Sequence, residues 1–120
     1  MDAYKAATLL CGRHDRSAAS RAYYAAYAAV THRLRQAPGI TLDHGDNNPR
    51  HDKLPNYVFS SFGSLGYSAQ TIKNVVGALR SLRRDRIRAD YMPSEDIDTE
   101  RAKNNLRDAE YIARELGLPL

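Results

Sequence analysis

Five arginines fall within nine residues, Arg80, Arg83, Arg84, Arg86 and Arg88, and Asp85 is the only acid among them. A guanidinium is planar, permanently charged and forked, which suits it to bidentate contact with phosphate or carboxylate. A solvated charged face mixes signs more evenly than this. The excess also runs through the whole chain: of 18 Lys+Arg only Lys5, Lys53, Lys73 and Lys103 are lysines, leaving 14 arginines against 14 Asp+Glu and a net charge of +4. A GC-rich genome raises Arg and Ala together, so the position of the arginines in the fold, and not their number, decides what they mean. Arg86 and Asp90 stand four apart, the spacing of an ion pair along one helix face. His14, His32, His44 and His51 are never four apart on one helix. A loop metal site from His44, Asp46 and His51 is the weaker reading beside solvated loop histidines, and no metal or other cofactor is expected. Cys11 stands alone, so it forms no internal disulfide and reads as a small buried apolar side chain. Glycine-rich phosphate loops, H-E-x-x-H, G-x-S-x-G and acidic calcium loops are absent.

The elements that carry these residues are all helical by period, so the expected fold is all-α, an up-and-down bundle of about five helices. A first helix is predicted from about Asp2 to Cys11, stopping at Gly12. The second runs from about Ser17 to Gln36, with Asp15 or Ser17 as its N-cap. Its stretch from Ala22 to Val30 carries no charge, which predicts a central helix covered on most sides. Within it Tyr23 and Tyr27 read as core, whereas Arg21 and Tyr24 are placed in a polar cluster with the fourth helix. Ala37 to Arg50 is dense in turn formers and forms the one long loop. The third helix runs from His51 to about Ser61 with Leu54, Tyr57, Val58 and Phe62 on one side, and Pro55 confines or breaks it. Ser68 caps a fourth from about Ala69 to Tyr91. Its apolar stripe, Ile72, Val75, Val76, Leu79 and Leu82, continues at 100° per residue into Arg83, Arg86 and Asp90. The last helix, Thr99 to about Leu116, buries Ala102, Leu106, Ala109, Ala113 and Leu116 and ends at Gly117 and Pro119.

Two of these segments together resemble a known family. Ser20-Arg21-Ala22-Tyr23-Tyr24-Ala25 in the second helix, followed by Arg86-Ile87-Arg88-Ala89-Asp90-Tyr91 closing the fourth, is similar to the HEPN superfamily of small helical proteins, over essentially the whole chain. His51 opening the third helix and the alanine-rich last helix also fall where that family has them. The resemblance implies a homodimer that faces RNA or a nucleotide across its groove, in a toxin-antitoxin, defence or nucleotidyltransferase-associated system. It places Arg21, Tyr24, His51, Arg80, Arg83, Arg84, Arg86, Arg88, Asp90 and Tyr91 at the nucleic-acid or nucleotide face. Many relatives are metal-independent ribonucleases marked by an Arg, four to six residues and a His; others are toxins with R-x-x-x-x-H-x-Y, whose tyrosine a minimal nucleotidyltransferase modifies. Laid on this chain, Arg84 takes the Arg place, Tyr91 the Tyr place, and Ala89 stands where the His belongs. No histidine here follows an arginine by five to seven residues. Arg84 and Tyr91 remain as catalytic candidates, and binding without standard ribonuclease chemistry is the expected activity. The alternatives are a non-catalytic module that docks a separately encoded nucleotidyltransferase, and a ribonuclease with an atypical site.

The bulk properties agree with one domain. The chain has 120 residues, 42% hydrophobic and 27% charged, with a mean hydropathy of -0.60. That is the size of one core, and no apolar run approaches the roughly 20 residues of a membrane span. Met1 to Ala6 lacks an apolar stretch with a small-residue cleavage site, so a cytoplasmic protein with no membrane partner is expected.

Overall fold

The structure, a computed structural model, describes residues 3–12, 14–36, 51, 53–92, 94 and 96–118. It is all-helical among them. Helix α1 spans Ala3–Leu10, α2 Asp15–Leu34, α3 Leu54–Ser61, α4 Ala69–Tyr91 and α5 Thr99–Glu115, and a single 3-10 turn, Phe62–Leu65, follows α3. The predicted loop from Ala37 to Arg50, with His44 and Asp46, lies outside the described residues, as do the predicted start at Asp2 and the stop at Pro119.

Helix α2 is the centre of the bundle and packs against each of the other four helices. Its uncharged stretch explains why. Ala22, Tyr23, Ala26 and Val30 are fully buried, while the small alanines between them let α1, α4 and α5 approach closely. Leu34, Leu54, Val58, Phe62, Val75, Val76, Leu79, Leu82 and Ile112 complete one continuous core. Burying each such side chain contributes about 1.5–3 kcal/mol relative to leaving it in water.

The helix ends follow local chemistry, with two departures from expectation. Ser68 caps α4 as predicted, its hydroxyl accepting the Thr71 N–H at 3.1 Å. Asp98 caps α5 by accepting the Arg101 N–H at 2.8 Å. The far end of α5 closes on Gly117 at φ +71, with Gly117 N–H on the Arg114 carbonyl and Leu118 N–H on that of Ala113. That pair of bonds needs a left-handed residue at this position, which glycine adopts without strain. The first departure is at α2, which begins at Asp15 with His14 in the capping position and neither Asp15 nor Ser17 as the cap. The Asp15 carboxylate is used otherwise: it accepts the Gly12 N–H at 2.6 Å and the Thr99 hydroxyl at 2.8 Å, tying the α1–α2 turn to the start of α5. The second is α3, which starts at Leu54 and not at His51. Pro55 sits in its first turn, where the missing N–H costs nothing, so it neither breaks nor kinks the helix.

Candidate functional site

Helix α4 presents two unlike faces toward its C-terminal end. Arg80, Arg83, Arg84, Ile87 and Arg88 recur at three- and four-residue spacing and form one stripe. That stripe lines a groove of about 610 Å³, across from Pro55 and Asn56 of α3, with His51 and Met92 also in its wall. Among the described residues no carboxylate lines it.

The apolar stripe of α4 continues differently from the sequence expectation. It runs through Leu82 to Asp85, which is 3% exposed, and to Arg86, whereas Arg83 turns to the groove. The one acid within the arginine run is therefore buried. Its Oδ1 lies 3.5 Å from Arg88, 3.8 Å from Arg101 of α5 and 3.9 Å from Arg84. These are ion pairs without an aligned hydrogen bond at Oδ1. One buried carboxylate thus sits behind two of the groove arginines and shares its charge among them and Arg101.

His51 joins the groove to a second cluster. Its Nδ1 is 2.6 Å from the Tyr23 hydroxyl, and its ring lies 4.5 Å from that of Tyr27 and 6.1 Å from that of Tyr24, centroid to centroid. Burial pushes the Tyr23 phenol well above its usual range, with Arg83 and Arg86 pulling it partly back, so the phenol keeps its proton. Tyr23 is thus core, as expected, and also the residue that orients His51. Tyr27 is only partly buried.

Beyond Tyr24 lies the ion pair read from the sequence. Arg86 Nε is 3.0 Å from Asp90 Oδ2, off the direction of a hydrogen bond, and Arg86 Nη2 donates to the Tyr24 hydroxyl at 2.7 Å. The guanidinium lies over the rings of both Tyr24 and Tyr91, at 5.3 Å and 5.2 Å from their centroids. Burial opposes its charge most strongly, yet the Tyr24 contact and the neighbouring Tyr91 and Asp90 more than offset that and raise its pKa above the ordinary value. Arg21 is exposed. It lines a separate pocket of about 240 Å³ with Arg16, Ser20, Ala89 and Asp90, and so meets the cluster on its Asp90 side.

The structure therefore brings His51, Arg80, Arg83, Arg84 and Arg88 into one groove, and Tyr24, Arg86, Asp90 and Tyr91 into an adjoining cluster with Ser20, whose hydroxyl meets Asp90 at 3.3 Å. Ala89, in the place of the motif histidine, belongs to neither. Five residues on from Arg84, it lies about 140° around the helix and faces the Arg21 pocket. Arg16 escaped the sequence reading. Its guanidinium donates to the carbonyls of Arg88, Ala89 (3.2 Å) and Met92 (2.8 Å) at the end of α4, where the Arg88 carbonyl also accepts the Met92 N–H at 3.2 Å. Nothing local signals it, because helix α2 supplies the cap for another helix's end.

Among the described residues no three His, Cys, Asp or Glu side chains converge on a point that could hold a metal ion, and no helix is long and apolar enough to cross a membrane. In comparisons with known proteins the chain matches no family model, no curated protein and no solved structure.

Proposed function

We propose that the arginine groove binds the phosphates of RNA or of a nucleotide, in a HEPN-like protein that works as a homodimer within a toxin-antitoxin, defence or nucleotidyltransferase-associated system. The observation that carries this reading is the lining itself: four arginines and a histidine on a concave surface that has no carboxylate among the described residues, whereas the pockets holding Asp90 and Asp108 include acids. Guanidinium groups set at helical spacing, two of them paired from behind with Asp85, are pre-positioned for phosphate oxygens. Binding then follows counterion release. Four phosphate contacts on a single strand give a log–log salt slope of about -2.8, a loss of about 50-fold in affinity between 50 and 200 mM salt. Combining Arg84→Ala with Arg88→Ala halves the slope and cuts that loss to about 7-fold. Fluorescence anisotropy of a labelled RNA octamer measures both; an undetectable affinity at 50 mM, or an unchanged slope in the double variant, rejects the reading.

A second reading, metal-independent RNA cleavage, is favoured by one observation: His51 supplies to the groove the imidazole that the motif position lacks. In such a step the ribose 2′-oxygen attacks the adjacent phosphorus, the 5′-oxygen leaves, and a 2′,3′-cyclic phosphate and a 5′-hydroxyl result. The histidine exchanges protons with the two oxygens and the arginines hold the added phosphoryl charge. With chelator present, His51→Ala is expected to lower any cleavage by 100-fold or more. Cleavage that survives this change, or a wild type without cleavage, rejects the second reading and leaves the first.

A further inference from the structure

One large apolar side chain lies at the end of this groove and takes no part in the core. Phe59 of α3 is 51% exposed. It stands three residues beyond Asn56 and four beyond Pro55, both of which line the groove, so it continues their face of α3 by one turn. From the opposite side the Arg80 guanidinium lies 5.9 Å from the centre of its ring. An isolated exposed apolar residue is ordinary on a protein surface. This one differs in standing beside the first arginine of a four-arginine stripe, with a cation already against its π face.

We propose that Phe59 is a base-stacking platform, so that the groove takes single-stranded nucleic acid with phosphates on the arginines and an unpaired base on the Phe59 ring. The proposal rests on the reading of the groove as a phosphate site and adds the part of the ligand that is not phosphate. The chemistry is complementary at both ends. Every base has a π face that stacks on an aromatic ring, and Arg80 can lie against that stack while its other N–H groups reach a phosphate oxygen. A paired base has both faces occupied by its neighbours, so a duplex offers the ring nothing but its ends. Arg80 and Arg88 are eight residues apart, about 12 Å along the helix, which leaves room for more than one phosphate between the platform and the Met92 end. The ring carries no hydrogen-bonding group, so stacking gives little base preference and does not distinguish ribose from deoxyribose.

The test uses four probes on the intact protein: labelled octamers of uridine and of thymidine, an octamer duplex, and inorganic tripolyphosphate as a phosphate chain without bases. Phe59→Ala is expected to weaken both single-stranded octamers about ten-fold while leaving tripolyphosphate unchanged, and Phe59→Trp to restore octamer binding. The duplex is expected to bind the wild type more weakly than either single strand. Equal octamer affinity in wild type and Phe59→Ala, with Arg83→Ala still weakening it, overturns the platform and leaves the phosphate site standing. A wild type that binds neither octamer nor tripolyphosphate at low salt overturns the phosphate reading, and the platform with it. Phe59→Ala that weakens octamer and tripolyphosphate alike, or that changes the mass seen by light scattering, makes Phe59 a structural or protein-contact residue and also overturns the proposal. The side chain is half in solvent, so the variants are expected to fold, and circular dichroism at the same temperature verifies this.

Discussion

At the scale of single residues, charge placement governs the molecule more than charge number. Asp85 and Asp108 show it. Burial raises the Asp108 carboxyl above its ordinary range, the Asp85 carboxylate adds to the rise, and Arg84 partly opposes both. The folded state therefore holds this proton more tightly than the unfolded chain does. The stabilising contribution of that preference is complete below about pH 4, the ordinary carboxylate value, and is lost as pH rises through the raised folded value. Asp108→Asn removes the ionised form, so the variant is expected to melt above the wild type at pH 7, with the gap closing by about pH 3.5. The effect is modest because the group is only partly buried and solvent screens it. Thermal unfolding at both values checks the sign, and a wild type that melts higher at pH 7 contradicts the assignment. The Arg86–Asp90 pair was legible from its spacing alone. The burial of Asp85 was not, because Asp85 and Arg86 adjoin in sequence and the periodicity cannot say which of two neighbours turns inward when both carry charge.

At the scale of elements, what was legible is what periodicity and capping encode. Helix α4 was expected over the bounds it has, since Ser68 caps it and its apolar residues recur without interruption. Helix α5 was legible from its apolar recurrence and its stop at Gly117, although the burial of Asn105 was not, since a polar residue on an apolar face is indistinguishable from a surface one until the partner helix is known. What sequence could not show is contact between elements: His51 against the three tyrosines of α2, and Arg16 of α2 on the end of α4. Phe59 carried a signal that only elimination reveals, because Leu54 and Val58 of α3, with Phe62 just beyond it, fill the inner side and leave Phe59 outside. The Arg16 cap makes a quantitative expectation. Arg16→Ala leaves three carbonyls at the end of α4 without these donors, one of them at the groove residue Arg88, and is expected to cost about 1–2 kcal/mol in urea unfolding. Amide hydrogen exchange in the last turn of α4 should accelerate while that in α5 stays close to wild type. Arg16→Lys is expected to restore little, since an ammonium cannot span three carbonyls as the planar fork does.

At the scale of the whole molecule, the expected partner of the cluster around Tyr91 is a second copy. Tyr91 is 66% exposed and Met92 43% exposed at the end of α4, the end that would face the two-fold axis of the proposed homodimer. Light scattering at tens of micromolar is expected to give twice the 13.5 kDa chain mass. Tyr91→Glu, which sets a charge on that face, is expected to shift the mass toward the monomer, and a monomeric wild type would falsify the assembly. The Arg16 contact also has a temporal consequence. Its hydrogen bonds join residues 72 to 76 apart along the chain, so the whole stretch from α2 to the end of α4 must be brought back on itself before any of them can form. Closing so long a segment comes at an entropic cost that local helix formation does not meet. The contact is therefore expected to form late in folding and to be lost early in unfolding. Arg16→Ala should leave the rate of refolding nearly unchanged and raise the rate of unfolding by about ten-fold, so that the protein forms as fast as before and persists for less time.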